Sequence, residues 1–319
     1  MTAIESVGVH VPRYRIQAET IRDARGSFEP AGVETVAVPG ADEDALTMGV
    51  EAAERALDGA GVDRSSIETL TIGTTTPPLD EGDLTAQTVA LLGLEQSVET
   101  TAVTQSTRAG TRAVRIAERL RDGPALAIAA DAPRGPPDDA LGQGAGAGAV
   151  ALLLTDDGSA AIETTAATAR AYPGTRYRER GRETTRAYGA TSYERRAYAE
   201  SVARTVDALE EPVVALAPTA PDGSMPYRAT TELDDDPPVY QAASSLGDTG
   251  AASPLFGLLE AWNEGETDVA VVGYGGGSID VIRVEGTASP RRSPVPTVDL
   301  SYARYLELRG EIADAGGEA

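Results

Sequence analysis

Cysteine is absent from the 319 residues, and so is lysine: all 27 basic residues are arginine. Without cysteine there can be no disulfide, no thiolate zinc site and no cysteine nucleophile. Without lysine there can be no Schiff base, no pyridoxal anchor and no phosphate-binding lysine of the P-loop kind. Histidine occurs once, as His10, inside an apolar stretch that reads as a structural strand. No apolar run approaches a membrane span, and the opening MTAIESVGVH has neither a basic nor an apolar leader region. A protein with no membrane association and a cytoplasmic location is expected.

What the chain does have is acid. Fifty acidic residues against 27 arginines leave a net charge of −23. Such a chain repels itself in dilute buffer, but at molar salt the Debye length shrinks to about 3 Å and the repulsion fades. The balance fits the cytoplasm of a halophile, with an archaeal source expected, and it argues against nucleic acid as a partner.

Apolar periodicity alternates between helix and strand. Leu46, Val50, Ala53 and Leu57 mark one helical face from Asp42 to Asp58, ending at Gly59. Strands are expected at Ile67–Ile72, Val98–Thr104, Ala125–Ala130 and Ala149–Leu154, with a helix at Leu84–Leu92 between the first two. A helix after Thr107 places Ala113, Ile116, Ala117 and Leu120 on one face and Arg108, Arg112, Arg115 and Arg119 on the other. The second half repeats the scheme more loosely. It has helices at Tyr193–Leu209 and from Ser253 and Pro254 to Trp262, with strands at Val213–Ala217, Val269–Gly273 and Ile279–Val284, and a closing helix around Tyr302–Ile312. The reading is an α/β fold of two related halves with parallel pairing, divided as 1–165, 166–290 and a Pro-rich segment with a helix at 291–319.

The stretch Val103–Ala113, VTQSTRAGTRA, runs from a strand into a helix, where enzymes often place a nucleophile. Ser106 and Thr107 have no obvious base beside them, although Asp248 or Asp222 could serve; on their own they read as helix caps. The run GQGAGAGA, Gly142–Ala149, precedes a strand rather than opening a helix, so close packing explains it better than a dinucleotide site. The acids Asp234–Asp236 read as a solvated loop rather than a metal site, and no metal is expected. Ala169–Ala197 holds eight arginines, at 170, 176, 178, 180, 182, 186, 195 and 196, against three glutamates, at 179, 183 and 194. That local excess of five positive charges suits either an anion-binding surface or an internal ion-pair network.

Taken in order, GVHVPRYRI, TMGVEAAERAL, TIGTTTPP, STRAGTRA, ADAPRGPPDDAL, PTAPDGSMP, LGDTGAAS, VVGYGGGSID and SYARYLELRGEI resemble the archaeal 3-hydroxy-3-methylglutaryl-CoA synthases of the thiolase superfamily. The resemblance covers essentially the whole chain. It implies a duplicated thiolase-like fold in αβαβα layers and an acyl-CoA condensing acyltransferase working as an oligomer. It also implies a cysteine, a glutamate and a histidine at positions that here are Thr107, Thr75 and Thr219, and an asparagine at what is here Asp248. With all three catalytic positions threonine, the resemblance implies acyl-CoA binding without the synthase reaction and no tightly bound cofactor. Arg176, Arg178, Arg180, Arg182 and Arg186 would face the CoA phosphates, and Gly275 and Gly276 the active-site side of a glycine loop. The expected partners are acyl-CoA and either further copies of the chain, a thiolase-type enzyme or an OB-fold zinc-ribbon protein. The alternative is an active acyltransferase with Thr107 or Ser106 as nucleophile.

Overall fold

The computed structural model describes residues 1–188, 191–209, 212–233 and 235–312. Of the acidic run at 234–236, Asp234 lies outside the described residues, as does the end of the C-terminal segment. The first half contains β1 (Ala3–His10), β2 (Tyr14–Gln17), α1 (Ala18–Arg25), β3 (Thr35–Val38), α2 (Ala45–Ala60) and β4 (Thr69–Gly73). It continues through α3 (Leu84–Leu92), β5 (Glu99–Val103), α4 (Ala109–Leu120), β6 (Ala125–Asp131), α5 (Ala140–Gly144) and β7 (Gly148–Thr155). The second half holds β8 (Ala160–Ala169), α6 (Thr191–Val206), β9 (Leu216–Pro218), α7 (Ala243–Leu246), α8 (Ser253–Asn263), β10 (Asp268–Gly275) and β11 (Ser278–Gly286). The chain then adds β12 (Pro290–Arg292), β13 (Val298–Asp299) and α9 (Tyr302–Leu308).

Among the described residues the large sheet runs β5-β4-β6-β7-β1-β8-β11-β10-β9, with β12 beside β1. The duplication is visible in its pairing. In one half β4 and β6 are parallel and β7 then β1 follow antiparallel; in the other β9 and β10 are parallel and β11 then β8 follow antiparallel. The halves join where β1 meets β8 through Ala3 and Ile4. Residue 165 falls within β8.

Helix α4 packs on β4 and β6 of one half and on β10 and β11 of the other, with α8 beside it. These two helices form the middle layer, while α2 and α6 cover the outer faces, giving αβαβα. The central core joins Val9, Val114, Leu152, Phe256, Val271 and Ile282. Separate clusters lie under α2 and under α6, and a small one gathers around β2, β3 and α9. Among the described residues no helix is long and apolar enough to cross a membrane.

Several local expectations are corrected. Parallel pairing holds for β5, β4 and β6, but β7 is antiparallel to β6. A parallel return needs a crossover of about a dozen residues or more that packs back on the sheet, and the connection here holds only the short α5. Helix α2 runs past Gly59 to Ala60 and ends on Gly61, whose φ of 64° supplies the left-handed cap. Ser253 does not cap α8: its hydroxyl accepts from the Ala220 N–H at 2.7 Å, and the helix opens from Ala252.

The arginine face of α4 turns partly inward. Arg115 is buried and pairs with Asp280 of β11, whose carboxylate is fully buried and also lies 3.3 Å from Arg108 and from Arg112. Successive turns of a helix in one half thus fasten the strand that follows the glycine loop of the other. The small residues of GQGAGAGA do pack closely: a Cβ on Gly146 would collide with the Leu246 carbonyl, and one on Gly148 would lie 2.8 Å from the Phe256 ring.

Candidate ligand-binding site

The site sits at the C-terminal ends of parallel strands, where open α/β sheets gather their loops. Strand β4 ends in the threonines at 74, 75 and 76, β5 runs into the junction before α4, and β10 ends in the glycine loop at 275–277. Gln105, in that junction, has a φ of 72°, the only left-handed residue other than glycine among those described. The turn it makes brings Ser106 and Thr107 under the glycine loop. A Cβ on Gly275 would collide with Ser106 Oγ and lie 3.2 Å from the Thr107 and Arg108 backbone nitrogens, so the two segments approach closely there.

Thr107 does not cap α4. Its hydroxyl donates to the Tyr274 carbonyl at 2.6 Å, while the helix starts from Arg108 without a side-chain cap. Ser106 Oγ lies 3.4 Å from the Arg108 N–H, a long contact. Tyr274 is held on its other side as well, its N–H donating to Thr219 Oγ1 at 2.8 Å. Thr107 and Thr219 therefore grip the backbone of one β10 residue from two directions. Thr219 is buried, and its own carbonyl accepts from the Tyr198 hydroxyl at 2.7 Å.

Thr75 is organised by a residue that sequence reasoning missed. Asp131, the last residue of β6, is fully buried. Its Oδ1 accepts from Thr74 Oγ1 at 2.9 Å, Thr75 N at 2.7 Å, Thr76 N at 2.9 Å and Thr76 Oγ1 at 2.7 Å. Its Oδ2 accepts from Thr75 Oγ1 at 2.8 Å and Ala251 N at 2.7 Å. With six donors around it the charge is internally compensated, which is how a carboxylate is tolerated in a core. An acid closing an otherwise apolar buried strand was the available signal.

Asp248 is buried too. Its Oδ1 accepts from the Gly250 N–H at 2.9 Å and its Oδ2 pairs with Arg176. Burial pushes this carboxyl above its ordinary range, with Arg176 and the Gly250 amide pulling the other way. Asp222, the other candidate base, is spent on a turn, accepting from the Ser224 and Met225 amides at 2.7 and 2.6 Å.

These parts surround a cavity of about 720 Å³. Its walls include Thr75, Ser106, Thr107, Gly275 and Gly276 on the side of the junction. Arg176, Arg178, Arg180 and Arg182 line it from the arginine-rich segment, with Asp80, Glu81 and Glu179 also on its walls. Thr219 and Asp248 stand outside the wall, and Arg186 pairs by its backbone with Tyr177 instead, at 2.9 and 2.8 Å. The lining sets the arginines of one segment against hydroxyls and glycines of the other, with three carboxylates also on the wall.

No family model matches the chain. Over 158 residues it is 37% identical to the hydroxymethylglutaryl-CoA synthase of Thermococcus gammatolerans, a match that covers 47% of this chain and 44% of that relative. This match therefore spans less than half the length of either protein. With the hydroxymethylglutaryl-CoA synthase of Pyrobaculum calidifontis the identity is 28% over 350 residues, covering 97% of each. Among solved structures, MvaS in complex with 3-hydroxy-3-methylglutaryl coenzyme A superposes with a TM-score of 0.81 at 18% identity, over 100% of this chain and 94% of that one. The fold is therefore thiolase-like. Within that class the chain is similar along its length to archaeal hydroxymethylglutaryl-CoA synthases, and it contains no cysteine.

Proposed function

We propose that this protein binds acyl-CoA in the cavity beside Thr107 and does not condense it, acting as a non-catalytic subunit beside a thiolase-type enzyme or an OB-fold zinc-ribbon partner. The observation that carries this reading is the hydrogen bond from Thr107 to the Tyr274 carbonyl. An alcohol becomes a nucleophile when a base removes its proton, and here that proton is shared with a carbonyl that cannot take it. Condensation also needs proton transfer at carbon, which a carboxylate or imidazole would supply. The positions expected to provide them hold Thr75 and Thr219, and Asp131 has its lone pairs occupied by six donors.

Binding has better support. The cavity retains walls from both halves, and arginines suited to phosphate stand on them. The test is titration calorimetry with acetyl-CoA in molar KCl, followed by intact mass measurement of the chain. Saturable binding with an unmodified chain is expected. An acyl adduct lost in Thr107→Val but kept in Ser106→Ala would establish the acyltransferase reading instead.

A further inference from the structure

The segment 170–188 leaves β8 and forms a strap over the cavity. Its base is pinned to the glycine loop, Arg170 N and Tyr172 N donating to the Gly277 and Gly276 carbonyls at 3.2 Å. The Tyr172 ring is buried and its hydroxyl donates to Glu200 at 2.6 Å. Tyr177 and Arg186 then pair across the strap, and the Thr185 amide donates to the Arg134 carbonyl at 2.7 Å. The tip between them carries Arg178, Arg180 and Arg182.

Two of the strap's arginines are already committed to the protein. Arg176 pairs with buried Asp248, and Arg178 Nη2 donates to the Thr75 carbonyl at 2.7 Å. Their acceptors are themselves joined. Asp248 accepts from Gly250, the next residue Ala251 donates to Asp131, and Asp131 accepts from both the amide and the hydroxyl of Thr75. A closed ring of contacts therefore passes from Arg176 through Asp248, residues 250–251, Asp131 and Thr75 back to Arg178. By contrast Arg180 and Arg182 are exposed on the cavity wall, the Arg182 guanidinium making a loose 3.9 Å pair with Glu179.

We propose that this ring is a tether that fixes the strap. In it Asp248 and Arg176 are positioning residues, and Arg180 and Arg182 are the side chains that meet the phosphates of a polyanionic ligand. The assignment rests on the acyl-CoA reading for the ligand but not for the tether. Asp248, a substituted family position, thereby serves a different end, because its negative charge holds the arginine that organises the cavity edge. Preorganising that edge lowers the ordering cost of binding.

The full chain in molar KCl can be digested with trypsin, which here cuts only after arginine, and fragments from cleavage after Arg180 and Arg182 followed by mass. Cleavage in a tethered segment tracks the population that opens. In Asp248→Asn and in Arg176→Gln, strap cleavage should accelerate about tenfold, while cleavage at exposed Arg22 and Arg25 on α1 stays unchanged and reports an intact fold. Arg176→Lys, which keeps the charge, should recover part of the protection. Coenzyme A is the probe in parallel calorimetry. It should bind about tenfold more weakly to Asp248→Asn with the native salt dependence, and Arg180→Gln with Arg182→Gln should flatten that dependence. Strap cleavage that is unchanged in both Asp248→Asn and Arg176→Gln overturns the tether, whatever coenzyme A does. Accelerated cleavage without coenzyme A binding to the native chain upholds the tether and removes the ligand assignment.

Discussion

At Thr107, the position where the resemblance implies a nucleophile, the structure shows a hydroxyl committed to the backbone. The hydroxyl points into the protein and donates to Tyr274 at 2.6 Å, so the residue has become a fastener between α4 and β10. Placing a thiol at this position should therefore not by itself confer the synthase reaction. Thr107→Cys is expected to yield no hydroxymethylglutaryl-CoA from acetyl-CoA and acetoacetyl-CoA when the products are separated by chromatography, since the positions for acid and base remain threonine. Product formation by that variant would show that a base had been overlooked. Thr107→Val leaves the Tyr274 carbonyl without its donor and should lower stability by about 1 kcal/mol in denaturant unfolding. Asp131 is where residue-level reading fell short, because its importance lies in six donors brought together from separate segments.

At the scale of elements, helix ends make the sharpest predictions. Asp44 accepts from the Thr47 amide at 2.8 Å and Thr47 Oγ1 accepts from the Asp44 amide at 2.9 Å, closing a reciprocal cap on α2. Asp44→Ala should cost about 1 kcal/mol by urea titration. Asp83 caps α3, and hydrogen bonds from the Thr85 hydroxyl and the Ala86 amide hold its carboxyl below the ordinary range. A depressed folded-state value means that the carboxylate's contribution is complete above the unfolded value and is lost as pH falls through the folded one. Asp83→Asn should accordingly be less stable than the native chain at neutral pH, with the gap closing in acid; a constant gap would contradict the cap.

Most of these elements were legible because their signals are local. Asp83 and Gly93 bracket α3, and continuous apolar runs mark β6 and β7. Beyond reach were the features that depend on distant partners. The direction of β7 depends on a connection, residues 132–147, whose only helix is the five-residue α5, and the burial of Arg115 follows from an aspartate 165 residues away. The arginine-rich segment was read as either an anion surface or an ion-pair network. The structure gives it both kinds of residue, with Arg176 paired internally and Arg180 and Arg182 exposed on the cavity wall.

For the whole molecule the dominant fact is a net charge of −23 on 319 residues. Self-repulsion of that size should make the folded state depend on salt. The thermal midpoint followed by circular dichroism is expected to rise as KCl increases from about 0.1 M toward about 2 M and then level off. A midpoint indifferent to salt would remove the halophilic reading. The duplicated sheet and the shared middle layer of α4 and α8 hold the fold together independently of Thr75, Thr107 and Thr219. The core lies between the layers, whereas these threonines lie at strand ends and bond to neighbouring backbone and to Asp131.

Binding without covalent chemistry is tested most directly by native mass spectrometry with acetyl-CoA in ammonium acetate of about molar strength, which reads both at once. A complex of one acetyl-CoA per chain that reverts on denaturation to the mass of the unmodified chain is the predicted result. A mass increase of one acetyl group that survives denaturation, or no complex at all, would contradict it.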